Sequence, residues 1–325
     1  MNQNGINVLS LFDGISGAYV ALKKAGIEVN NYYSSEIDKN ALAIQNYHYS
    51  SDTSFHQIGD VCKVDGSKYT DVSVAVFGSP CTQLSSINKS DRSGLQGPDS
   101  RLFFEAIRIL KEIKANQPKD KLLYVLCENV ASMDVKNRNI FMQELKAIFP
   151  DIVMLKIDSA LLAPAHRRRL YFTNIPNASI PEPNGCKLSD VLVNGYTEKE
   201  KGNVILSSNV TLTCGLFRHY KMNMGNIIFK DKWFAELPTH QKLEAYATLM
   251  ESVSYRDTER GKVDEYGYSN RCYRLPSILE LERMMTYPDG YVSNVPNVSK
   301  TQKQKALGLS FTPEVVAHLL RGLKS

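Results

Sequence analysis

The sequence predicts an α/β protein: a doubly wound, mostly parallel sheet with a smaller, irregular second domain. Three observations carry this prediction. Short apolar runs alternate with segments of helical apolar spacing through the first 176 residues. Polar residues and glycines gather where those runs end. After Pro176 the alternation stops, and a stretch rich in Tyr, Asn and Gly follows.

Taken in order, "NVLSLF" is a short strand broken at Asp13-Gly14, and "GAYVALKKAG" is a helix with a Gly26 stop. "NNYYSSEID" reads as a strand ending in acids, and "KNALAIQNYH" as a helix. "VSVAVFG" is a strand running into Cys81, followed by the strongly periodic helix "RLFFEAIRILKEIKANQP". "KLLYVLCENV" is a strand, "NRNIFMQELKAIF" a helix, and "DIVMLKID" and "RLYFTNIP" are two more strands. Near-continuous apolar strands are what a sheet covered on both faces requires. Residues 185–274 show no sustained rhythm of this kind. Helices resume in "LPSILELERMM" and "FTPEVVAHLLRGL". Residues 1–176 with 275–325 are therefore expected to form one domain, and 177–274 a second.

With 325 residues, 43% hydrophobic and 22% charged, the chain can bury a large core, which excludes a disordered or fibrous class. The net charge is +5 and no segment is strongly basic, so charge permits a nucleic-acid partner without announcing one. No apolar run approaches the roughly 20 residues that cross a bilayer, so no membrane partner is expected. The opening "MNQNGINVLSLFDG" has no basic-then-apolar leader pattern. The six cysteines (Cys62, Cys81, Cys127, Cys186, Cys214, Cys272) form no C-x-x-C pair, which argues against zinc and a disulfide framework. A reduced, cytosolic compartment is expected, with no metal.

In open α/β sheets, ligands sit beyond the carboxyl ends of the strands. The polar residues there are Asp13, Gly14 and Gly17 after the first strand, Glu36 after the second, Gly59-Asp60 before "VCK", Cys81, and Glu128-Asn129. Glycines let a backbone turn approach a ligand closely. A carboxylate such as Glu36, about twenty residues on, suits a ribose diol, and Asp60 offers an acceptor for an adenine amino group. "FDGISG" is not the G-x-G-x-x-G of dinucleotide folds, so the set points to an adenosine-containing cofactor without a pyrophosphate grip. Taken singly, the turn also reads as a bare βα connection and Glu36 as a solvated acid.

Cys81 follows Pro80, which ends a strand, and precedes about twenty mostly polar residues. That setting suits an exposed, activated thiolate, with Glu128 as the partner acid. Cys62 and Cys127 read as inert residues.

These motifs resemble, in order and over most of the chain, those of the DNA cytosine-5 methyltransferases. "SLFDGISGAYVALKKAG" resembles that family's S-adenosylmethionine loop, "SSEID" its ribose-binding acid and "GDV" its adenine-binding turn. "GSPCTQLS" resembles its Pro-Cys motif, "ENV" its glutamate motif and "HRRRLYF" its arginine motif. "LPSILELERMMTYPDGY" and "ALGLSFTPEVVAHLL" resemble its last two. The likeness is to the de novo branch in particular, through "GSPC", "SRLFFEAIRIL", "AHRRRLYFTNIP" and "GLSFTP". It implies a sheet of the S-adenosylmethionine-dependent methyltransferase type. It also implies a donor site built from Phe12, Asp13, Gly14, Ser16, Gly17, Glu36, Ile37, Asp60, Val61, Ser79, Pro80, Leu102, Ser310 and Phe311.

The resemblance further implies methyl transfer to C5 of a cytosine flipped out of double-stranded DNA. Cys81 is then the nucleophile on C6, Glu128 holds N3, and Arg167 and Arg169 support them. Alternating side chains put 167 and 169 on one strand face and leave Arg168 as a surface charge or phosphate contact. Thr82–Ser100 is then a lid over the flipped base with Gly94 and Gly97 as hinges, and Ser86, Ile87 and Asn88 meet the DNA. Residues 177–274 become a target recognition domain, and the protein works in the cytoplasm, at a nucleoid or in a nucleus. Three positions depart from the family pattern: Thr82 after the Pro-Cys pair, Ala165 in the arginine motif and Leu309 in the last motif. Two other readings stand beside this one. The same chemistry on RNA lacks its usual Cys-Phe-Thr signature here, and a non-catalytic relative would have lost Cys81 or Glu128. Target sequence and oligomeric state are not legible.

Overall fold

The computed structural model describes residues 5–80, 101–205, 225–251 and 273–324. Cys81, the stretch 82–100 with its expected lid, and residues 206–224 and 252–272 of the expected target recognition domain lie outside the described residues. The chain divides into two compact units. The first comprises Met1–Leu161, Arg168–Pro183 and Ser310–Ser325, and the second Leu162–Arg167 and Asn184–Leu309.

The first unit is built on a seven-stranded sheet of order β3-β2-β1-β4-β5-β7-β6. Its strands are β1 (Ile6–Leu11), β2 (Val29–Ser35), β3 (Phe55–Gln57), β4 (Val74–Gly78), β5 (Tyr124–Val130), β6 (Val153–Asp158) and β7 (Arg168–Thr173). β1 to β5 run parallel, whereas β7 is antiparallel to both β5 and β6. The chain leaves β1 to one side for β2 and returns on the other side as β4. That order reversal opens a crevice at the carboxyl ends of β1 and β4, the place where such sheets bind ligands.

The helices α1 (Gly17–Ala25), α2 (Lys39–Tyr49), α3 (Leu102–Asn116) and α4 (Val135–Lys146) form where apolar spacing meets a stop or a cap. Asp38 caps α2 by accepting from Asn40 and Ala41 N–H, and Asp134 caps α4 by accepting from Asn137 N–H. β1 and β4 are buried from Val8 to Leu11 and from Val74 to Phe77. One core joins Leu9, Leu11, Phe77, Phe103, Val125, Phe141 and Phe172. Within it the Phe103 and Phe141 rings stack at 3.7 Å. This packing fixes the strand ends that carry the polar residues.

The second unit holds the antiparallel pair Ile228–Phe229 and Tyr273–Arg274, around a small cluster of Phe229, Phe234 and Tyr273. It also holds the helices Lys232–Glu236, Thr239–Glu251, Ile278–Met284 and Lys300–Leu309. The structure draws the boundary differently from the expected 177–274. Residues 275–309 pack in the second unit, because Glu280 binds Arg274 and Val193 N–H, and Arg283 reaches Val191 O. Residues 177–183 stay with the first, where Ser179 O lies 3.0 Å from His318 Nε2. Residues 162–167 join the second through mutual backbone bonds of Pro164 and His166 with Gly202. Among the described residues no helix is long and apolar enough to cross a membrane, and no cluster of metal-ligating side chains is present.

Candidate active site

The turn after β1 is a constrained piece of backbone. Phe12, Gly14 and Ser16 all adopt left-handed conformations, with φ of 54°, 58° and 58°. Two of the three are not glycine and so carry strain. At Gly14 a Cβ would meet nothing within 4 Å, so the open side of the turn faces space rather than protein. Gly14 N–H donates to Glu36 Oε2 at 2.6 Å, while Glu36 Oε1 accepts from Ile37 and Asp38 N–H at 2.8 Å each. The carboxylate at the end of β2 thus ties the two strand ends together. Ile37 next to it is 67% exposed, which is unusual for an isoleucine beside a structured turn.

Asp60 spends one oxygen on Cys62 N–H as the cap of a short turn, and Val61 behind it is buried. Ser35 Oγ donates to Gly59 O at 2.7 Å, which fixes that turn against β2. Gly17 is buried in the first turn of α1, and Phe12 and Leu102 are partly buried against the core.

Asp13 lies beneath the turn. Its carboxylate points inward and accepts from Ser10 Oγ, Ser16 Oγ, Tyr32 OH, Ser34 Oγ and Gln45 Nε2. Burial pushes its pKa up, and the hydroxyl donors act the other way. Tyr32, also buried and facing this carboxylate, has its pKa pushed well up. Ser16 is consumed in the same way. The sequence placed Asp13 in the donor site without saying through which atoms; in the fold its carboxylate is an anchor, since the left-handed residues around it turn the carboxylate under the turn.

At the other side of the crevice, Gly78 of β4 registers with Glu128 of β5, and Val130 of β5 with Arg169 of β7. Side chains two apart share a sheet face, so Glu128 and Arg169 are diagonal neighbours. Arg169 Nε lies 2.8 Å from Glu128 Oε1, with both side chains largely buried. The N–H is not aimed at that oxygen, which has no hydrogen-bond donor among the described residues. The pair is therefore an electrostatic contact with acceptor capacity left over. Gly78 is needed beneath it: a Cβ there would sit 3.0 Å from the Phe311 ring and 3.3 Å from Glu128 Oε2. Phe311 and Ser310 are buried in the same unit.

Ser79 and Pro80 lead directly into Cys81 along the chain. Ser79 is buried, and Asn129 Nδ2 donates to its Oγ at 3.1 Å and to its O at 3.4 Å. Asn129 Oδ1 meanwhile accepts from Val130 N–H at 2.8 Å. The sequence noted Asn129 as a strand-end polar residue but gave it no task, and it gave none to Gly78. The readable signal for both is the β4–β5 register, which sets them beside Ser79 and Glu128. Asn129→Ala leaves Ser79 Oγ without that donor in a buried place. It is expected to destabilise the first unit by about 1–3 kcal/mol, read from the urea unfolding midpoint.

The arginines separate. Arg168 opens β7 and pairs with Asp158 Oδ2 at 3.1 Å from a largely exposed position. Arg167, expected on one strand face with Arg169, precedes β7 and belongs to the second unit. There it is buried and donates from Nη1 to Gly308 O at 2.9 Å. Cys127 is fully buried, and its thiol pKa is pushed well up by burial and then by Glu128, so it is an inert residue. Ser86, Ile87 and Asn88 lie outside the described residues.

The sequence model of the family described as C-5 cytosine-specific DNA methylase matches residues 6–325. Orphan methyltransferase M.Rho11sI of Bacillus phage rho11s is 29% identical over 237 residues, 71% of this chain and 41% of the phage protein. DNA (cytosine-5)-methyltransferase DRM2 of Oryza sativa subsp. japonica is 36% identical over 121 residues, 34% of this chain and 20% of the rice protein. The matched region is thus well under half of either relative. Among solved structures, S. pombe Dnmt2 methyltransferase superposes with a TM-score of 0.69 at 16% identity, covering 99% of this chain and 100% of that one. Spodoptera frugiperda DNMT2 gives 0.66 at 18% identity, with 99% and 100% covered. Identities this low speak for the fold, and the family match over nearly the whole chain speaks for the chemistry. The chain belongs to the C-5 cytosine-specific DNA methylase family, methyltransferases that depend on S-adenosylmethionine.

Proposed function

We propose that the protein methylates C5 of cytosine in double-stranded DNA through a covalent bond between Cys81 and C6. The observation that carries the reading is the register of Glu128 against Gly78, three residues before Cys81 in the chain. A thiolate to add to the ring and an acid to hold its displaced charge are what activation of an electron-poor ring requires.

The donor site is proposed from the first unit alone. The open side of Gly14, the equally open Gly59, the half-buried Glu36 and the exposed Ile37 suit a flat, hydroxyl-bearing adenosine. Glu36 would accept from the ribose, Asp60 from the adenine amino group, and Ile37 would cover a base face. S-adenosylmethionine, when bound, supplies an electrophilic methyl group on a sulfonium.

The chain's own residues prepare the acceptor. Cys81 adds as thiolate to C6, a C–S bond forms, and the ring's π electrons move toward C5, making it nucleophilic. Glu128 holds the proton at N3 so that the displaced charge is neutralised, and Arg169 keeps that acid oriented at 2.8 Å. After C5 carries the methyl group, its proton leaves to a base, the C–S bond breaks and the ring regains aromaticity. Because C5 and C6 lie inside a duplex, the base must leave the stack, at a cost of about a few kcal/mol. The second unit is proposed to select the target, with Arg168 near the phosphates.

The test is to incubate the protein with S-adenosylmethionine and a mixed-sequence duplex, map 5-methylcytosine at base resolution, and run an RNA pool and Cys81→Ser in parallel. Methylation of DNA in a recurrent context, lost in the variant, is expected. Methylation of RNA alone would overturn the substrate, and an active variant would overturn the covalent route.

A further inference from the structure

The Asp13 carboxylate is fully engaged before any ligand arrives. Oδ1 accepts from Ser10 Oγ and Tyr32 OH at 2.5 Å each. Oδ2 accepts from Ser16 Oγ and Ser34 Oγ at 2.7 Å and from Gln45 Nε2 at 3.1 Å. Five donors meet about four lone-pair sites, so no acceptor capacity remains for a ligand. The donors come from β1, the turn itself, β2 and α2, and all five residues are buried. None is cationic, so this is a hydrogen-bonded anchor and not an ion pair.

What the anchor holds is the turn. Gln45 Nε2 also donates to Gly14 O at 2.8 Å, and Gln57 Nε2 in turn donates to Gln45 Oε1. Gly14 therefore has its carbonyl fixed from the Asp13 side and its N–H fixed by Glu36. The backbone itself resists this shape, since Phe12 and Ser16 pay for φ near +54° and +58°. Without an over-determining contact the turn would relax, and Gly14 and Glu36 would lose their relative placement.

We propose that Asp13 is a positioning residue for the methyl donor. It acts through the Phe12–Gly17 turn and through the buried partners Tyr32, Ser34 and Gln45, without touching the donor. This rests on the reading that the turn and Glu36 hold the donor. It gives Asp13, expected in the donor site, a role other than a direct side-chain contact. The two roles differ in one respect. A direct contact feels only changes at Asp13, whereas an anchor feels changes at residues behind it, which cannot reach a ligand.

The test is the affinity of the full-length protein for S-adenosylmethionine and for S-adenosylhomocysteine, by titration calorimetry. It compares the parent with Tyr32→Phe, Ser34→Ala, Asp13→Asn and Asp13→Asn/Tyr32→Phe, alongside thermal melts and turnover at saturating donor. Tyr32→Phe is expected to raise the Kd for both ligands about 10-fold, equivalent to 1.4 kcal/mol, with turnover at saturation within about 2-fold. The double variant is expected to be no worse than Asp13→Asn, because both changes cut one network. Ser34→Ala gives the same reading should Tyr32→Phe fold poorly.

Parental affinity in Tyr32→Phe and Ser34→Ala would overturn the proposal, whether or not their melting temperatures fall. So would a loss in Asp13→Asn confined to the cationic S-adenosylmethionine, which is the mark of a direct contact. A parent protein that binds neither ligand would instead overturn the donor-site reading, and this inference with it.

Discussion

Glu128→Gln is expected to slow methyl transfer by about 10²–10⁴-fold, the range of a positioned acid or base. The substitution keeps the shape of the side chain between Gly78 and Arg169, so the register of β4 and β5 has no reason to change. What it removes is a carboxyl able to exchange a proton at N3, and with it the oxygen that lies 2.8 Å from Arg169 Nε. The loss should appear in single-turnover rates at saturating donor and DNA, with donor affinity at the parental level, because Glu36 and Gly14 sit at other strand ends. Cys81→Ser is expected to leave no measurable turnover, since a hydroxyl is far less ionised than a thiol. A Glu128→Gln enzyme within threefold of the parent would remove Glu128 from the chemistry. The loss should also exceed that of Arg169→Lys, which keeps a positive charge near the acid but not the fixed guanidinium plane.

Much of the first unit was legible because β1, β4 and β5 carry near-continuous apolar runs, and polar residues stand where those runs stop. Asp13 follows "NVLSLF" and Glu128 follows "KLLYVLC" in this way, while Glu36 follows the more polar "NNYYSS". β3 escaped because three residues carry no period. The helix Lys300–Leu309 escaped because "KTQKQKALGL" buries only Leu307 and Gly308 and so shows no apolar face. Position along a strand is written in sequence, but the direction of a side chain is not. Asp13 stands where a ligand contact is expected, and only the left-handed φ values of its neighbours reveal that its carboxylate turns inward. Asn129 reads as one more polar residue until the register sets it against Ser79. Arg167 and Arg169 are two apart in sequence, but β7 starts between them, at Arg168. The end of the second unit fails for a related reason: Arg274 is held by Asn194, 80 residues away, and Glu280 by Val193 N–H.

That same cluster sets the largest expected effect on stability. Arg274 and Glu280 form a two-pronged ion pair, Nη1 to Oε2 at 2.6 Å and Nη2 to Oε1 at 2.7 Å, inside the second unit. Both residues are buried, and their remaining capacity is used: Asn194 and Leu275 accept from the guanidinium, while Val193 and Ser277 N–H donate to the carboxylate. Glu280→Ala leaves a buried guanidinium without its counter-charge, which costs about 3–5 kcal/mol. The readout is hydrogen exchange of the Ile278–Met284 amides, because local opening of the second unit need not follow unfolding of the first. Replacing both partners by apolar residues of similar volume, Arg274→Met with Glu280→Leu, is expected to recover most of the loss, since no lone charge stays buried.

The pair also carries a pH signature. Burial alone would raise the Glu280 pKa, but bonds from Arg274 and from Ser277 and Val193 N–H outweigh it and hold the carboxyl below its ordinary value. A depressed carboxyl pKa contributes stability that is present above the unfolded value, roughly 4.3, and fades as pH falls through the folded one. The gap in exchange protection between the parent and Glu280→Gln should therefore be full at neutral pH and narrow in acid. A gap that stayed constant down to the acid limb would mean that the carboxylate's charge contributes nothing, and that Glu280 serves the second unit only by its shape.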